Sequence, residues 1–450
     1  MPENINESFS SLQQTRKAYH FPSPQSGEGG RRPYEDGEGS GVRYDIIGIG
    51  IGPFNLGLAA LCHSIPELDC LFIEKNKEFN WHPGLMIPGT KLQVPFYADL
   101  VTLANPKSDF SFMEYIHATK KMFRFAILEN YFITRKEYNE YCRWVASLLP
   151  SLQFNCCCTA IRYDESKEFY SVETNAGTYH ARHIVIGTGT IPFIPEFAKK
   201  TDHPFLFHSS DFLYAKDRLL NQKSVTLVGS GQSAAEIFYD LLSCYNGKLF
   251  WFTRSSAFFP MDYSKFALEK TSPHYIDHFY SLPQHIKSVV LKKQDYLYKG
   301  INAELIENIY AALYEKNSPH IHLHPNCELK AICDELNLTF RHTELQQDFQ
   351  HRTDAVILAT GYRGFIPDFI NPIRHRIQWM DNGSYGLNRN YSIDGCNQVF
   401  VQNADLHTHG FNSADLGLGP YRNTVILNTI LQKEHFAMEK GISFQTFGLP

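Results

Sequence analysis

Two glycine-rich stretches carry the first chemistry legible in this sequence. One is GIGIGPFN, Gly48 to Asn55, and the other is GSGQSAAE, Gly229 to Glu236. Each stands between an apolar strand-like run and an apolar helix-like run. A glycine turn that feeds a helix N-terminus bares backbone N–H groups and points a positive dipole end at a phosphate. In the first loop the turn needs Gly50, and Gly52 lets a pyrophosphate approach the backbone. Asn55 stands where a third glycine is usual, which predicts slightly looser packing of helix on strand. In the second loop Gly229, Gly231 and Ala234 fill the three small positions. One such match is weak; two in strand–turn–helix context imply two nucleotide sites, with electrons passing from one bound cofactor to the other. The plain alternative is a pair of tight turns.

The residues about 20 positions further on have opposite charge. Glu74 ends the strand CLFIEK, and Arg254 ends LFWFTR. A carboxylate there accepts hydrogen bonds from ribose hydroxyls, which fits FAD or NAD. A guanidinium there forks onto a 2′-phosphate, which fits NADPH. A strand-end arginine is also commonly a solvated charge.

The elements that position these residues read as α/β. Strand Asp45–Ile49 leads into a helix over about 54–63, and residues 81–106 are irregular, with prolines at 83, 88, 95 and 106. Helices follow around 110–117 and 135–149, then a buried strand in HIVIGTGTIPFIP from His183. The second unit begins near Ser224. A mixed helical region spans about 262–314, HIHLHP precedes Asn326, AVILATGYR ends a strand at Gly361, and a helix follows Asn412. The fold expected is two Rossmann-like dinucleotide-binding domains, the second inserted into the first, with a helical substrate region. Residues 44–215 and 346–440 form the first domain, 216–345 the second, and 1–43 a disordered tail rich in Gly, Glu, Ser and Pro.

Composition narrows the class. The 450 residues suffice for two or three cores, and a net charge of −5 points away from nucleic acid. No apolar run approaches the ~18 residues of a membrane span. The N-terminus lacks an apolar signal region. Ten cysteines include no CxxC pair, so reduced cytosolic thiols are expected. His320, His322 and His324 could share one strand face and bind a metal, but so short a strand usually only exposes them, and no metal is expected.

With WHPGLMIPGTKLQVPFYADL (Trp81 to Leu100), ATGYR and the late THG (Thr408 to Gly410) added to the two loops, the chain resembles the microbial N-hydroxylating flavin monooxygenases of siderophore synthesis, the lysine/ornithine N-monooxygenase family, over about residues 44–435. The resemblance implies that NADPH reduces FAD, that reduced flavin and O2 form a C4a-hydroperoxide, and that a terminal amine takes up the distal oxygen. It implies that Gly50, Gly52, Pro53 and Asn55 hold the FAD pyrophosphate and Glu74 its ribose. Trp81 and His82 would lie near the flavin, Gly361 would bind cofactor, and Gln93 would lie beside flavin and substrate, with Gln93 and His82 the catalytic candidates. Gly229, Ser230, Gly231, Gln232 and Ser233 would contact the nicotinamide dinucleotide, with Arg254 on its 2′-phosphate. His409 would approach the flavin; a loop histidine is the plain alternative. His208 resembles a wider flavin-monooxygenase fingerprint, but Pro204 stands where that fingerprint has glycine, so its role stays open. Relatives are commonly oligomers, so two or four copies are expected.

One departure bears on substrate. Members that act on ornithine or lysine carry a lysine, partner of the substrate α-carboxylate, where this chain has Ala98. Gly417 replaces a serine in the same sense. An unpaired buried carboxylate is costly. The expected substrate is therefore a diamine, putrescine or cadaverine, rather than L-lysine or L-ornithine. Ser272 and Tyr298 are further candidates for the substrate pocket. A disulfide reductase would need a redox Cys pair, and a Baeyer–Villiger-type oxygenase the complete fingerprint around His208. A non-catalytic flavoprotein sensor is the rival of another class.

Overall fold

Strand β1 (Arg43–Ile49) forms because IIGI is buried on both faces, as parallel-sheet interiors require. Helix α1 (Pro53–His63) starts on a proline at its first turn. Strand β2 (Cys70–Ile73) pairs parallel to β1 with Ile49 opposite Ile73. In this computed structural model residues 43–439 and 441–449 are described, and the tail expected over 1–43 lies, Arg43 apart, outside them. Helices α2 (Phe112–Ala118), α3 (Met122–Leu128) and α4 (Arg135–Leu148) follow. Ser111 and Thr134 cap α2 and α4 by accepting from the N–H of Glu114 and Glu137, the S/T-x-x-E pattern. Strands β3 (Leu152–Gln153), β4 (Cys158–Asp164), β5 (Phe169–Thr174) and β6 (Gly177–Ile186) complete a sheet ordered β3-β2-β1-β6-β5-β4.

The second sheet starts after a short strand, β7 (Thr190–Pro192). It contains β8 (Leu206–His208), β9 (Ser224–Val228) and, after helix α5 (Gln232–Cys244), β10 (Lys248–Phe252). Helices α6 (Pro273–Ser281) and α7 (Ala303–Lys316) fall in the region read as helical, and β11 (Ile321–His324) follows. An antiparallel meander, β12 (Cys327–Cys333), β13 (Asn337–His342) and β14 (Gln347–Arg352), precedes β15 (Ala355–Leu358). The parallel order is β11-β10-β9-β15-β8. Strand β16 (Tyr362–Gly364) pairs with β7, β17 (Val399–Val401) returns to β6 of the first sheet, and α8 (Gly419–Leu431) ends the fold.

The α/β class and the two glycine-loop units are as expected, but two strand assignments need correction. Ala355–Leu358, placed with the first domain, pairs with β9 and β8 in the second sheet, which also takes Leu206–His208. A four-residue apolar run buried on both faces fits the interior of either sheet, and only tertiary packing chooses. The return to the first sheet comes later, at Val399–Val401.

Candidate active site

Both glycine loops have the conformation their sequences require. Gly50 has φ +89°, and a Cβ there would lie 2.6 Å from the Gly187 carbonyl oxygen. Around Gly52 nothing comes within 4 Å of that position, which leaves an open cradle at the start of α1. The Glu74 carboxylate reaches back to this loop. It accepts from Ile51 N–H at 2.9 Å with one oxygen and from Asn76 N–H at 2.9 Å with the other. Asn55 behaves differently from expectation. Its side chain, 1% exposed, turns under the loop and donates to the carbonyls of Gly50 (2.9 Å) and Val185 (3.3 Å). It braces the loop from beneath instead of facing the cradle, and packing at this point is closed, not loosened.

Gly229 has φ +145°, and a Cβ there would stand 2.3 Å from the Ala359 carbonyl oxygen. The open space at Gly231, where only Lys299 O lies within 4 Å, repeats the cradle at the start of α5. Ser230 accepts from the Ser255 hydroxyl at 3.2 Å, so the loop is tied to the residue beside Arg254. Arg254 is exposed and has no ion-pair partner among the described residues. Its guanidinium stands free at the strand end.

Between the loops lies a polar chain that joins the two sheets. Gln93 Nε2 donates to Gln232 Oε1 at 3.2 Å, and that oxygen also accepts from Asn302 N–H at 2.8 Å. Gln232 Nε2 donates to Glu236 at 2.8 Å, one helical turn further along α5. Glu236 is 3% exposed and pairs with Arg135 of α4 at 2.8 Å. Burial raises its carboxyl above the usual range, and Arg135 opposes that shift. The same Arg135 acts on His82, whose pKa falls to about 4 through burial first and this positive charge second. The His82 ring keeps a solvent-exposed edge, yet Trp81 and Tyr362 rings crowd it at 5.1 and 5.7 Å. It is therefore a neutral imidazole at pH 7. The WHPG turn fits tightly: His82 has φ +47°, and a Cβ on Gly84 would meet the Ser210 carbonyl oxygen at 1.8 Å.

From Gln93 the wall continues to the expected substrate position. Gln93 Nε2 also contacts Met261 Sδ at 3.3 Å, and the Tyr263 hydroxyl reaches that sulfur at 3.8 Å. Tyr263 in turn feels Asp415, and burial with this charge pushes its phenol up to about 12. A Cβ placed on Gly417 would lie 3.1 Å from Asp415 Oδ1 and 3.3 Å from the Ala98 methyl. The two departures read from sequence thus face each other, with a carboxylate beside them. Asp415 is half-buried and hemmed in by protein. Burial raises its carboxyl above the usual range despite the N–H of Gly417, donated at 2.7 Å. Asp99 fixes this segment by accepting four hydrogen bonds, from Val101 N–H, Phe112 N–H and both the N–H and hydroxyl of Thr102.

The other expected site residues have local partners of their own. His409 is 0% exposed, stacked on Tyr391 at 4.3 Å, with its nitrogens on Arg389 O and the Thr408 hydroxyl. The His409 ring is packed in the core. Ser272 is 7% exposed and caps α6 by accepting from Tyr275 N–H. Tyr298 stacks on Phe411 at 5.8 Å. Gly361, at φ +84°, accepts from His208 Nε2 and Phe193 N–H, both at 2.9 Å. His208, left open above, therefore pins the ATGY turn. His322 and His324 lie flat against Phe250 and Phe252, and the described residues contain no cluster able to hold a metal. Sequence reasoning missed Glu236, Arg135 and Asp415. Glu236 carried a signal, an acid four positions after Gln232 within an apolar helix. Asp415 carried another, a lone acid in the glycine-rich NSADLGLG.

The chain is similar to several known proteins. The family model described as L-lysine 6-monooxygenase/L-ornithine 5-monooxygenase matches residues 42–364. A putrescine N-hydroxylase of Shewanella oneidensis is 45% identical over 90% of this chain and 84% of that protein. The crystal structure of an FAD-bound cadaverine monooxygenase of desferrioxamine biosynthesis from Erwinia amylovora superposes with a TM-score of 0.88 and 42% identity, over 90% of this chain and 99% of that one. An ornithine N-hydroxylase from Kutzneria, solved with reduced FAD, NADP+ and L-ornithine, gives 0.80 and 26%, over 87% and 99%.

Proposed function

Because this chain belongs to the L-lysine 6-monooxygenase/L-ornithine 5-monooxygenase family, we propose that it hydroxylates the terminal primary amine of an aliphatic diamine, putrescine or cadaverine, for hydroxamate siderophore synthesis. The enzyme is a flavin-dependent N-hydroxylating monooxygenase that uses FAD, NADPH and O2. The open positions at Gly52 and Gly231 fit two dinucleotides. The first loop, with Glu74 for the ribose, would hold FAD. The second, with Ser230, Gln232, Ser233 and Arg254, would hold NADPH. The two glycine-loop sheets are accordingly the flavin and nicotinamide units. Bound flavin, once reduced, supplies the activated oxygen.

The chain's own residues do the rest. Gln93 and neutral His82 line the reacting side. Gln232, held by Glu236, fixes the amide of Gln93 in one orientation. An alkylammonium in water gives up its proton only near pH ~10.4, and only the free base is a nucleophile, so the reacting nitrogen must be desolvated on arrival. The second nitrogen needs the opposite treatment, a carboxylate that keeps it charged.

The observation that carries the diamine reading is the meeting of Ala98, Gly417 and Asp415 around one point. A site for an α-amino acid needs a cation for the carboxylate; this wall offers a methyl group, a glycine and an anion. Asp415 is the assigned partner of the distal ammonium. Amine-dependent hydroxylamine formation tests the reaction: putrescine or cadaverine should give product in step with NADPH oxidation. Retained flavin and NADPH oxidation without any amine product would instead fit the sensor reading. Among the described residues no helix is long and apolar enough to cross a membrane, and ten free thiols support a cytosolic compartment. We also propose that the chain works as a homo-oligomer.

A further inference from the structure

Helix α3, MFRFAIL, has no buried residue. Seven residues are too few to form a helix unaided in water, so packing must hold it. Its inner side does so: Phe125 meets the Phe96 and Phe112 rings at 5.2 and 5.5 Å. Its outer side faces solvent, with Phe123 85%, Ile127 80% and Leu128 62% exposed. Tyr131 and Tyr97, whose rings meet at 6.4 Å, extend the surface to the residue before Ala98. Phe and Tyr side chains bury about 150–250 Å² each, and with the smaller Ile127 and Leu128 the five expose roughly 600 Å². That is the upper end of what a monomer shows and close to the ~800 Å² per partner of a standard interface.

We propose that this face is where a second copy of the chain docks, α3 against α3 about a two-fold axis. This rests on the homo-oligomer reading above and goes beyond it by naming the surface. Charge selects the occupant. Arg124 and Glu129 sit at the two ends of the apolar stretch, both exposed and without an ion-pair partner among the described residues. Antiparallel helices related by a two-fold axis near Ala126 bring each Arg124 beside the other copy's Glu129. Small, exposed Ala126 lets the helices approach at that centre. A membrane surface fits less well, because of the nearby lysines only Lys120 lacks an ion-pair partner among the described residues, while Lys121 pairs with Glu137 at 2.9 Å and Lys136 with Glu140 at 3.9 Å, too few free cations for a polybasic patch. Docking would also cover Tyr97 and so shield the segment that carries Ala98.

Light scattering on the size-separated, flavin-loaded full chain is the test. Phe123→Asp with Ile127→Asp should halve the mass with flavin content unchanged. Arg124→Glu or Glu129→Arg alone should weaken assembly about tenfold, and the double reversal should restore it. The two reversals alter only exposed side chains, so they decide the matter even where the aspartates impair folding. A wild-type chain that runs as a single copy overturns both the oligomer reading and this surface. An assembly untouched by all four variants overturns the surface alone. A single copy that floats with anionic phosphatidylserine vesicles overturns it in favour of the membrane.

Discussion

The two glycine loops share one backbone device and differ in what surrounds it. The first is braced from below by Asn55, and its strand-end carboxylate, Glu74, already holds the loop at Ile51 N–H. The second has its strand-end charge, Arg254, free and exposed, and its helix is tied sideways into the first unit through Glu236 and Arg135. A preorganised cradle loses little entropy when occupied, whereas an exposed, screened charge captures and releases. The contrast fits a resident flavin and an exchanging nicotinamide.

The largest effect should come from breaking each loop in turn. Gly50→Ala forces a Cβ against the Gly187 carbonyl at positive φ, a strain of about 1–3 kcal/mol before the clash is counted. The purified protein should lose its flavin absorbance. Gly229→Ala should keep the flavin and lose its reduction by NADPH. Equal loss of flavin in both variants would erase the distinction.

Next is the link between the units. Arg135→Ala leaves Glu236 charged and buried without its partner, a change typically worth about 3–5 kcal/mol. Thermal unfolding should show a large fall in Tm. Adding Glu236→Gln should recover part of it, and no recovery would show that the pair is not coupled.

Substrate recognition should respond more narrowly. Asp415→Asn should lower kcat/KM for a diamine about 100-fold, with NADPH-dependent flavin reduction unchanged. A matching fall in flavin reduction would place Asp415 in the nicotinamide unit's work. Smaller still, Arg254→Ala should raise KM for NADPH about tenfold and leave that for NADH alone. Equal effects on both coenzymes would remove the 2′-phosphate role.

Histidines give the mildest test, one that spans both units. His82 and His409 in the first and His351 in the second have pKa values near 4, lowered chiefly by burial from 6.5. The unfolded chain therefore binds more protons between these values. Stability is full above about pH 6.5 and falls as pH drops towards 4. Tm measured across that range should decline, and His351→Phe should flatten part of the slope. A slope unchanged by that substitution would show that His351 titrates normally.

The loops, the strand-end charges and the α/β alternation were legible because glycine, periodicity and spacing are local signals. Ala98 and Gly417 were legible as departures; that they touch was not, since more than 300 positions separate them. The burial of His409 was not legible because a motif histidine and a core histidine are spelt alike, and its stack on Tyr391 shows only in the packing. Ala355–Leu358 could not be assigned because an apolar strand does not name its neighbours. Asp415 was missed because its meaning depends on what packs beside it.

The central claim is that the amine end of this site holds a second ammonium where amino-acid hydroxylases hold a carboxylate. Cadaverine and L-lysine differ only in that carboxylate, as do putrescine and L-ornithine. Hydroxylamine formation with each pair, expressed as kcat/KM, is the direct measurement. The diamine should exceed its amino acid by about 100-fold or more in at least one pair. An amino acid that equals or surpasses its diamine in both pairs would contradict the account.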